Sequence, residues 1–261
     1  MSDQTVLSEV KGAIGIITVN RPAVMNALDV PTVLALEAAL DGLEKNADVR
    51  VIVVTGAGDK AFVAGGDIAD LNSRQGLPHY QQFAEVIHRV FRRFETSDKP
   101  TIAAINGWAL GGGTELLLSL DIRIGGDSAR LGLPEITLGL FPCAGGTQRM
   151  IRQVPLCKAK ELMFAGTHVT AAEAVAMGLI NRAVPKENMM AEVMDLAGRI
   201  AQKSPLVLKM LKRTLNDGAD MALPSALAHE MAMVSLVLDS ADAHEGCTAF
   251  LEKRNAVFTG K

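Results

Sequence analysis

The sequence predicts an α/β fold, with a strand-rich body over about residues 1–186 and a helical C-terminal region over 187–261. Three observations carry this reading. Short β-branched runs alternate with amphipathic segments in the first part. From Glu187 onward, ENMMAEVMDLAGRIAQ, SPLVLKMLKRTLND and ALAHEMAMVSLVL all have helical spacing, with no strand between them. A weak internal repeat relates VIVVTGAGDKAFVAGGDIADL (51–71) to TIAAINGWALGGGTELLL (101–118). Each copy runs from a buried strand through a glycine turn, a short apolar piece and a small-residue stretch into a helix. Two such units would stack as successive turns of a spiral, with their small-residue stretches side by side.

The elements follow in order. AIGIITVN (13–20) is a buried strand ended by Arg21-Pro22. VPTVLALEAALDGLEKNAD (30–48) places apolar residues at helical spacing and acidic residues on the other face. RVIVVTG (50–56) is short and β-branched, hence a strand. HYQQFAEVIHRVFRRFET (79–96) is a second amphipathic helix, with Arg92 and Arg93 on a solvated face. PTIAAING (100–107) and DIRIGG (121–126) are further buried strands.

At 261 residues and 49% hydrophobic content, the chain sits near the upper limit for one core and has ample material to bury. The 26 basic and 29 acidic residues give a net charge of −3, which argues against a nucleic-acid surface built on bulk charge. The cysteines Cys143, Cys157 and Cys247 are sparse and unpaired in spacing, as in a reducing compartment. MSDQTVLSEV lacks a basic segment followed by an apolar one, so no signal or transit peptide is expected. No apolar run reaches membrane-spanning length. A cytoplasmic protein is expected.

The stretch GGGTELLL (111–118) sets three glycines before a glutamate that opens an apolar run. If Gly111–Gly113 precede a helix, its free N–H groups face whatever lies in front. FVAGGDI (62–68) offers a second small-residue site at Ala64–Gly66. One N–H from each unit, converging on one oxygen, would make an oxyanion hole. From spacing alone, close helix–strand packing is the preferred account of the glycines. Neither a phosphate-loop nor a dinucleotide pattern is met. Glu115, at a helix start, and Glu135, after Pro134 in RLGLPEITLGL, are each explained by the favourable placement of a carboxylate at an N-terminus. If the two met in one apolar cleft, their pKa values would separate into an acid and a base, able to place a water and deliver a proton.

The ordered set NRPAVMNALD (20–29), FVAGGDI, INGWALGGGTELLLSLDI (105–122), LGLPEITLGLFPCAGGTQR (131–149), AAEAVAMGLINRAVP (171–185) and EGCTAFLEKRNAVF (245–258) resembles the enoyl-CoA hydratase/isomerase, or crotonase, superfamily almost end to end. The resemblance implies a crotonase-like spiral of ββα units, with C-terminal helices that serve assembly and complete the pocket. It implies a homotrimer or dimer of trimers acting on acyl-CoA thioesters. Ala64 and Gly112 would be the backbone oxyanion donors. Gly65, Gly66, Asp67, Ile68 and Gly111 would line the substrate, and Lys253 would reach CoA phosphates from a neighbouring subunit. The two glutamates imply reversible syn hydration of a trans-2-enoyl-CoA, with Glu115 orienting water and Glu135 supplying the α-proton. No cofactor is implied, because the thioester is the electron sink. Two departures stand out. Cys143 occupies a position often held by glycine, which bears on water placement, and Ala23 stands where many members carry a charge.

Other crotonase chemistry is the competing reading: isomerisation, or hydration of a branched, cyclic or aromatic acyl-CoA. An RNA-binding role on this scaffold would need a basic stripe, whereas helix 30–48 carries Glu37, Asp41, Glu44 and Asp48 against a single Lys45. The histidines form no metal spacing, and no GxSxG elbow is present. Asp67 and Asp121 read as turn-holding residues, and Met189, Met190 and Met194 as helix packing. Acyl-chain walls are expected from the segment around 68–95.

Overall fold

The computed structural model describes residues 4–261. β1 (Val6–Lys11) and β2 (Ile14–Val19) form an antiparallel hairpin. β3 (Val51–Gly56), β5 (Thr101–Ile105) and β7 (Ile122–Gly126) then add in parallel, and β10 (Arg182–Val184) closes a six-stranded sheet ordered β1-β2-β3-β5-β7-β10. A second sheet, β4-β6-β8-β9, is built from three-residue strands: β4 (Ala61–Val63), β6 (Trp108–Leu110), β8 (Arg130–Gly132) and β9 (His168–Thr170). The chain alternates between the sheets. β3 leads to β4, β5 to β6 and β7 to β8, and like strands of successive units pair in parallel. The repeat read in 51–71 and 101–118 is thus stacked as two turns of a spiral. Buried Asn26 and Asn106 tie the corners, each donating Nδ2 to the Ala61 carbonyl, at 2.8 and 3.2 Å.

The central strands are apolar throughout because both faces are covered. Ile52 and Val54 face a core shared with α1 (Val30–Lys45) and α4 (Glu85–Thr96). Val51 and Val53 face the other way, toward α9 (Met189–Ala201). This refines the expected boundary at 186. α9 covers the outer face of the six-stranded sheet through Met189, Val193 and Ala197, so it belongs to the body. Met190 and Met194 pack against the same cluster, as their helical spacing suggested.

α1 starts at Asp29, whose carboxylate accepts from Thr32 N–H at 2.8 Å. Its acidic face is not free. Glu37 pairs with Arg89, and Arg93 pairs with Asp41 and, at 2.8 Å, with Glu44. Arg93 is therefore an inter-helix clamp rather than part of a solvated face. Between α1 and α4 lie α2 (Ile68–Asn72), α3 (Leu77–His79) and a π-helical turn, Tyr80–Ala84, so the helix expected over 79–96 forms without a break but opens with π geometry. α5 (Gly112–Leu118) is buried along its whole length. α6 (Gly146–Gln153), α7 (Leu156–Ala165) and α8 (Ala171–Ala176) complete the body. α10 (Pro205–Gly218), α11 (Leu223–Leu238) and α12 (Ala241–Leu251) follow α9. α11 buries none of its residues. No helix among the described residues is long and apolar enough to cross a membrane.

Candidate active site

The stacked units bring three small-residue or loop segments to one cavity of about 390 Å³. Ala64–Gly66 follows β4, Gly111 and Gly112 open α5, and residues 134–143 follow β8. Ile68, Leu71, His79, Phe83 and Ile87 form an apolar wall, within the 68–95 segment expected to supply it. Two larger cavities, of about 490 and about 780 Å³, open beside α10. Neither holds the carboxylate pair, and their cations are engaged, Lys212 with Asp121 at 2.8 Å and Arg152 with Asp220 at 3.0 Å.

The glycines of GGGTELLL divide their work. Gly113 permits close packing, since a Cβ there would lie 1.9 Å from the Val63 carbonyl oxygen. Gly111 adopts φ 50°, and a Cβ there would stand 3.2 Å from Glu135 Oε1. Gly112 begins α5, so its N–H has no intrahelical partner.

On the facing segment, the N–H that the resemblance implied as a donor is already engaged. Ala64 N–H donates to the Met25 carbonyl at 3.1 Å, so it is not free to meet a ligand oxygen. Gly66, two residues on, is differently placed. Leu28 bridges this strand in parallel, donating to Gly65 O at 2.9 Å and accepting from Asp67 N–H at 2.8 Å. That pairing turns the Gly66 N–H to the opposite edge, where a Cβ on Gly112 would lie 3.6 Å from Gly66 N. Asp67 is a second correction. Its carboxylate caps α2 through Ala69 and Asp70 N–H and pairs with Arg21 at 3.0 Å, so it holds the turn and does not line the cavity. Lys253 lies just beyond α12 and does not line this chain's cavity.

Glu115 and Glu135 both line the cavity. Glu115 is 2% exposed, and its Oε1 accepts from Ala144 N–H at 2.7 Å and Gly146 N–H at 2.8 Å. Burial pushes its carboxyl above the usual range, while the two N–H donors and Arg149 pull it back. Glu135 opens a 3-10 turn over Glu135–Leu138. Its Oε2 is buried without a partner among the described residues. Burial, with the Glu115 charge adding to it, pushes Glu135 up to about 7. Cys143 sits at the same wall without backbone strain, since the left-handed positions of its loop are Gly139 and Gly145. Although the residue keeps surface exposure, burial and the two carboxylate charges push its thiol up to about 12. That disfavours a thiolate nucleophile.

Residues 9–261 match the family model for enoyl-CoA hydratase/isomerase. The chain belongs to the enoyl-CoA hydratase/isomerase family. Among its relatives, a short-chain-enoyl-CoA hydratase of Clostridium acetobutylicum is 37% identical, over 97% of each chain. A crotonyl-CoA hydratase of Syntrophomonas wolfei is 38% identical over the full length of both. The crystal structure of an enoyl-CoA hydratase from Bacillus anthracis superposes with TM-score 0.95 at 34% identity, covering 99% of this chain and 100% of that one. The spiral of stacked units is thus the enoyl-CoA hydratase/isomerase fold. Within that frame, sequence reading located both glutamates and Gly112. It missed the N–H donors of Ala144 and Gly146, for which the run AGGTQ was the available signal, and the apolar contributors Leu138, Leu140 and Phe141.

Proposed function

We propose that this enzyme catalyses reversible syn hydration of a trans-2-enoyl-CoA to a 3-hydroxyacyl-CoA. The observation that carries the reading is the meeting of a buried and a half-buried carboxylate with glycine backbone in one largely apolar cavity. Glu115 uses one oxygen to accept two N–H groups, leaving the other to orient a water and take its proton. As the water oxygen bonds to the β-carbon, the π electrons move to the thioester oxygen. Gly66 and Gly112 N–H stabilise that oxygen, at about 3 kcal/mol per donor. Glu135, near neutrality in pKa, donates its proton to the α-carbon. No redox or metal group is required, because the thioester carbonyl receives the electrons. CoA enters as part of the substrate.

The proposed assembly is a homotrimer or dimer of trimers, formed through the C-terminal helices. Leu211, Leu215, Leu223, Leu227, Met231 and Leu238 on α10 and α11 are exposed in one chain, apolar surface that such an assembly would cover. Lys253 would contact CoA across such an interface. A cytoplasmic location is consistent with three free cysteines.

The test follows loss of conjugated-thioester absorbance with crotonyl-CoA, for wild type and for Glu115→Gln and Glu135→Gln. Hydration by wild type and losses of ~10²–10⁴ in each variant, with acyl-CoA binding retained, are expected. A wild type that binds crotonyl-CoA without hydrating it overturns the assignment for this substrate. Retained activity in either variant overturns that residue's role.

A further inference from the structure

We propose that Arg149, held by Glu95, is a positioning residue for Glu115. It acts as a strut behind the loop that supplies the N–H donors to that carboxylate. The proposal rests on the reading that Glu115 works on water. The chain of contacts is continuous. Glu115 Oε1 accepts from Ala144 N–H at 2.7 Å. The carbonyl of the same Ala144 accepts from Arg149 Nη1 at 3.0 Å. Arg149 Nη2 reaches Glu95 Oε2 on α4 at 2.8 Å, where Arg92 also binds at 3.0 Å. One residue, Ala144, therefore donates its N–H to the carboxylate while its carbonyl is pinned by a guanidinium.

The loop needs such a pin. Residues 140–143 have no regular secondary structure, and Gly139 and Gly145 flank them in left-handed conformations. The Arg149 guanidinium lies across the loop, and a Cβ on Gly145 would meet its Nη1 at 2.1 Å. The side chain is only 16% exposed, which strengthens its charge interactions relative to a surface pair. Burial alone would raise Glu95, but the hydrogen bond and charge of Arg149, with Arg92, hold it below the usual carboxylate range. Glu95 is thus ionised at neutral pH. The Arg149 cation also favours the Glu115 anion from a distance. The strut therefore has a geometric effect and an electrostatic one, and the two separate experimentally.

The test uses the full-length wild type, Arg149→Met, Arg149→Lys and Glu95→Gln, with two readouts. Amide hydrogen exchange of peptides covering 141–150 reads the strut whether or not the enzyme hydrates crotonyl-CoA. Arg149→Met is expected to release protection at Ala144 and Gly146 while protection in β3 and β5 is kept. Kinetics with crotonyl-CoA are expected to show kcat reduced by up to about a hundredfold, with KM changed far less. The acid limb of the kcat profile should move to higher pH, because Glu115 loses a cation that favours its ionised form. Arg149→Lys keeps the charge and should restore the limb but only part of kcat; Glu95→Gln keeps the Arg149 cation and should lower kcat less than Arg149→Met without moving the limb to higher pH. Unchanged protection in Arg149→Met overturns the positioning role. So does a kcat loss with no movement of the acid limb and no rescue by lysine, which marks a merely structural defect. An inert wild type with the expected change in exchange overturns the proposed function and leaves the strut standing.

Discussion

Replacing Glu135 by glutamine should stabilise the folded protein in alkaline solution relative to acid solution. Glu135 rises from an ordinary 4.5 to about 7, a shift of 2.5 pH units. At 1.36 kcal/mol per unit this corresponds to about 3.4 kcal/mol of penalty on the ionised folded state. The side chain retains contact with solvent, so screening reduces the usable figure to ~1–2 kcal/mol. The sign follows from proton binding. Between the unfolded and folded pKa values the folded state holds the extra proton, so wild-type stability falls as pH rises through that window. The penalty is absent below about 4.5 and complete above about 7. Glutamine carries no charge at either end. It also leaves a buried polar atom where Glu135 Oε2 has no partner, but that contribution is the same at every pH. The assay is therefore a difference of differences: unfolding of wild type and variant at pH 4.5 and 8.5, at one fixed protein concentration because assembly contributes to stability. The variant should gain ~1–2 kcal/mol relative to wild type on going from acid to alkali, a few degrees in Tm for a chain of this size. A difference between the two proteins that stays constant with pH would refute the burial argument for Glu135.

Two further outcomes follow from the geometry. Gly111→Ala forces an L side chain into φ 50°, with its Cβ 3.2 Å from Glu135 Oε1. It should lower stability by ~1–2 kcal/mol in thermal unfolding and reduce kcat in the crotonyl-CoA assay. The Cys143 thiol, pushed up to about 12, should alkylate with iodoacetamide more slowly at pH 7.5 than Cys157 and Cys247, as read by peptide mass spectrometry. Cys143 labelling first would contradict the placement of that thiol beside two carboxylates.

What the sequence made legible depended on how much of each element's environment is repeated along the chain. The strands at 13–20, 50–56, 100–107 and 121–126 could be read because burial on both faces leaves an unbroken apolar run. β4, β6, β8, β9 and β10 each have three residues, too few for any period to show. α9 was legible as a helix but not as part of the body, because periodicity identifies an apolar face without naming what covers it. At the site, Glu115 and Glu135 were legible as carboxylates in apolar surroundings. The N–H expected to face the cavity, that of Ala64, is bonded to Met25, and the one turned to the cavity side is two residues further on. Whether Ala64 or Gly66 points its N–H into the cavity is fixed by the pairing of Leu28 with Gly66, a contact between distant segments. The donors to Glu115 were hidden for the same reason: Ala144 lies 29 residues further along the chain.

The two carboxylates share one cavity and are both pushed upward by burial, so burial cannot be what separates base from acid. Hydrogen bonding can. Glu115 accepts two backbone N–H groups on one oxygen, and such bonds favour the ionised form. Glu135 has an oxygen without any partner and feels the charge of Glu115, and both conditions favour the protonated form. The backbone hydrogen bonds oppose the upward push at Glu115, and the Glu115 charge adds to it at Glu135. Under the proposed function, Glu115 would be the anion that takes a proton from water and Glu135 the acid that delivers one to carbon. The glycines serve the same division. Gly111 leaves room for Glu135 Oε1, and Gly146 supplies an N–H to Glu115 at a point where a Cβ would stand 2.8 Å from its Oε1. The conformational cost of ordering these glycines and the solvation cost of burying the carboxylates thus fall in one place because each makes the other's geometry possible.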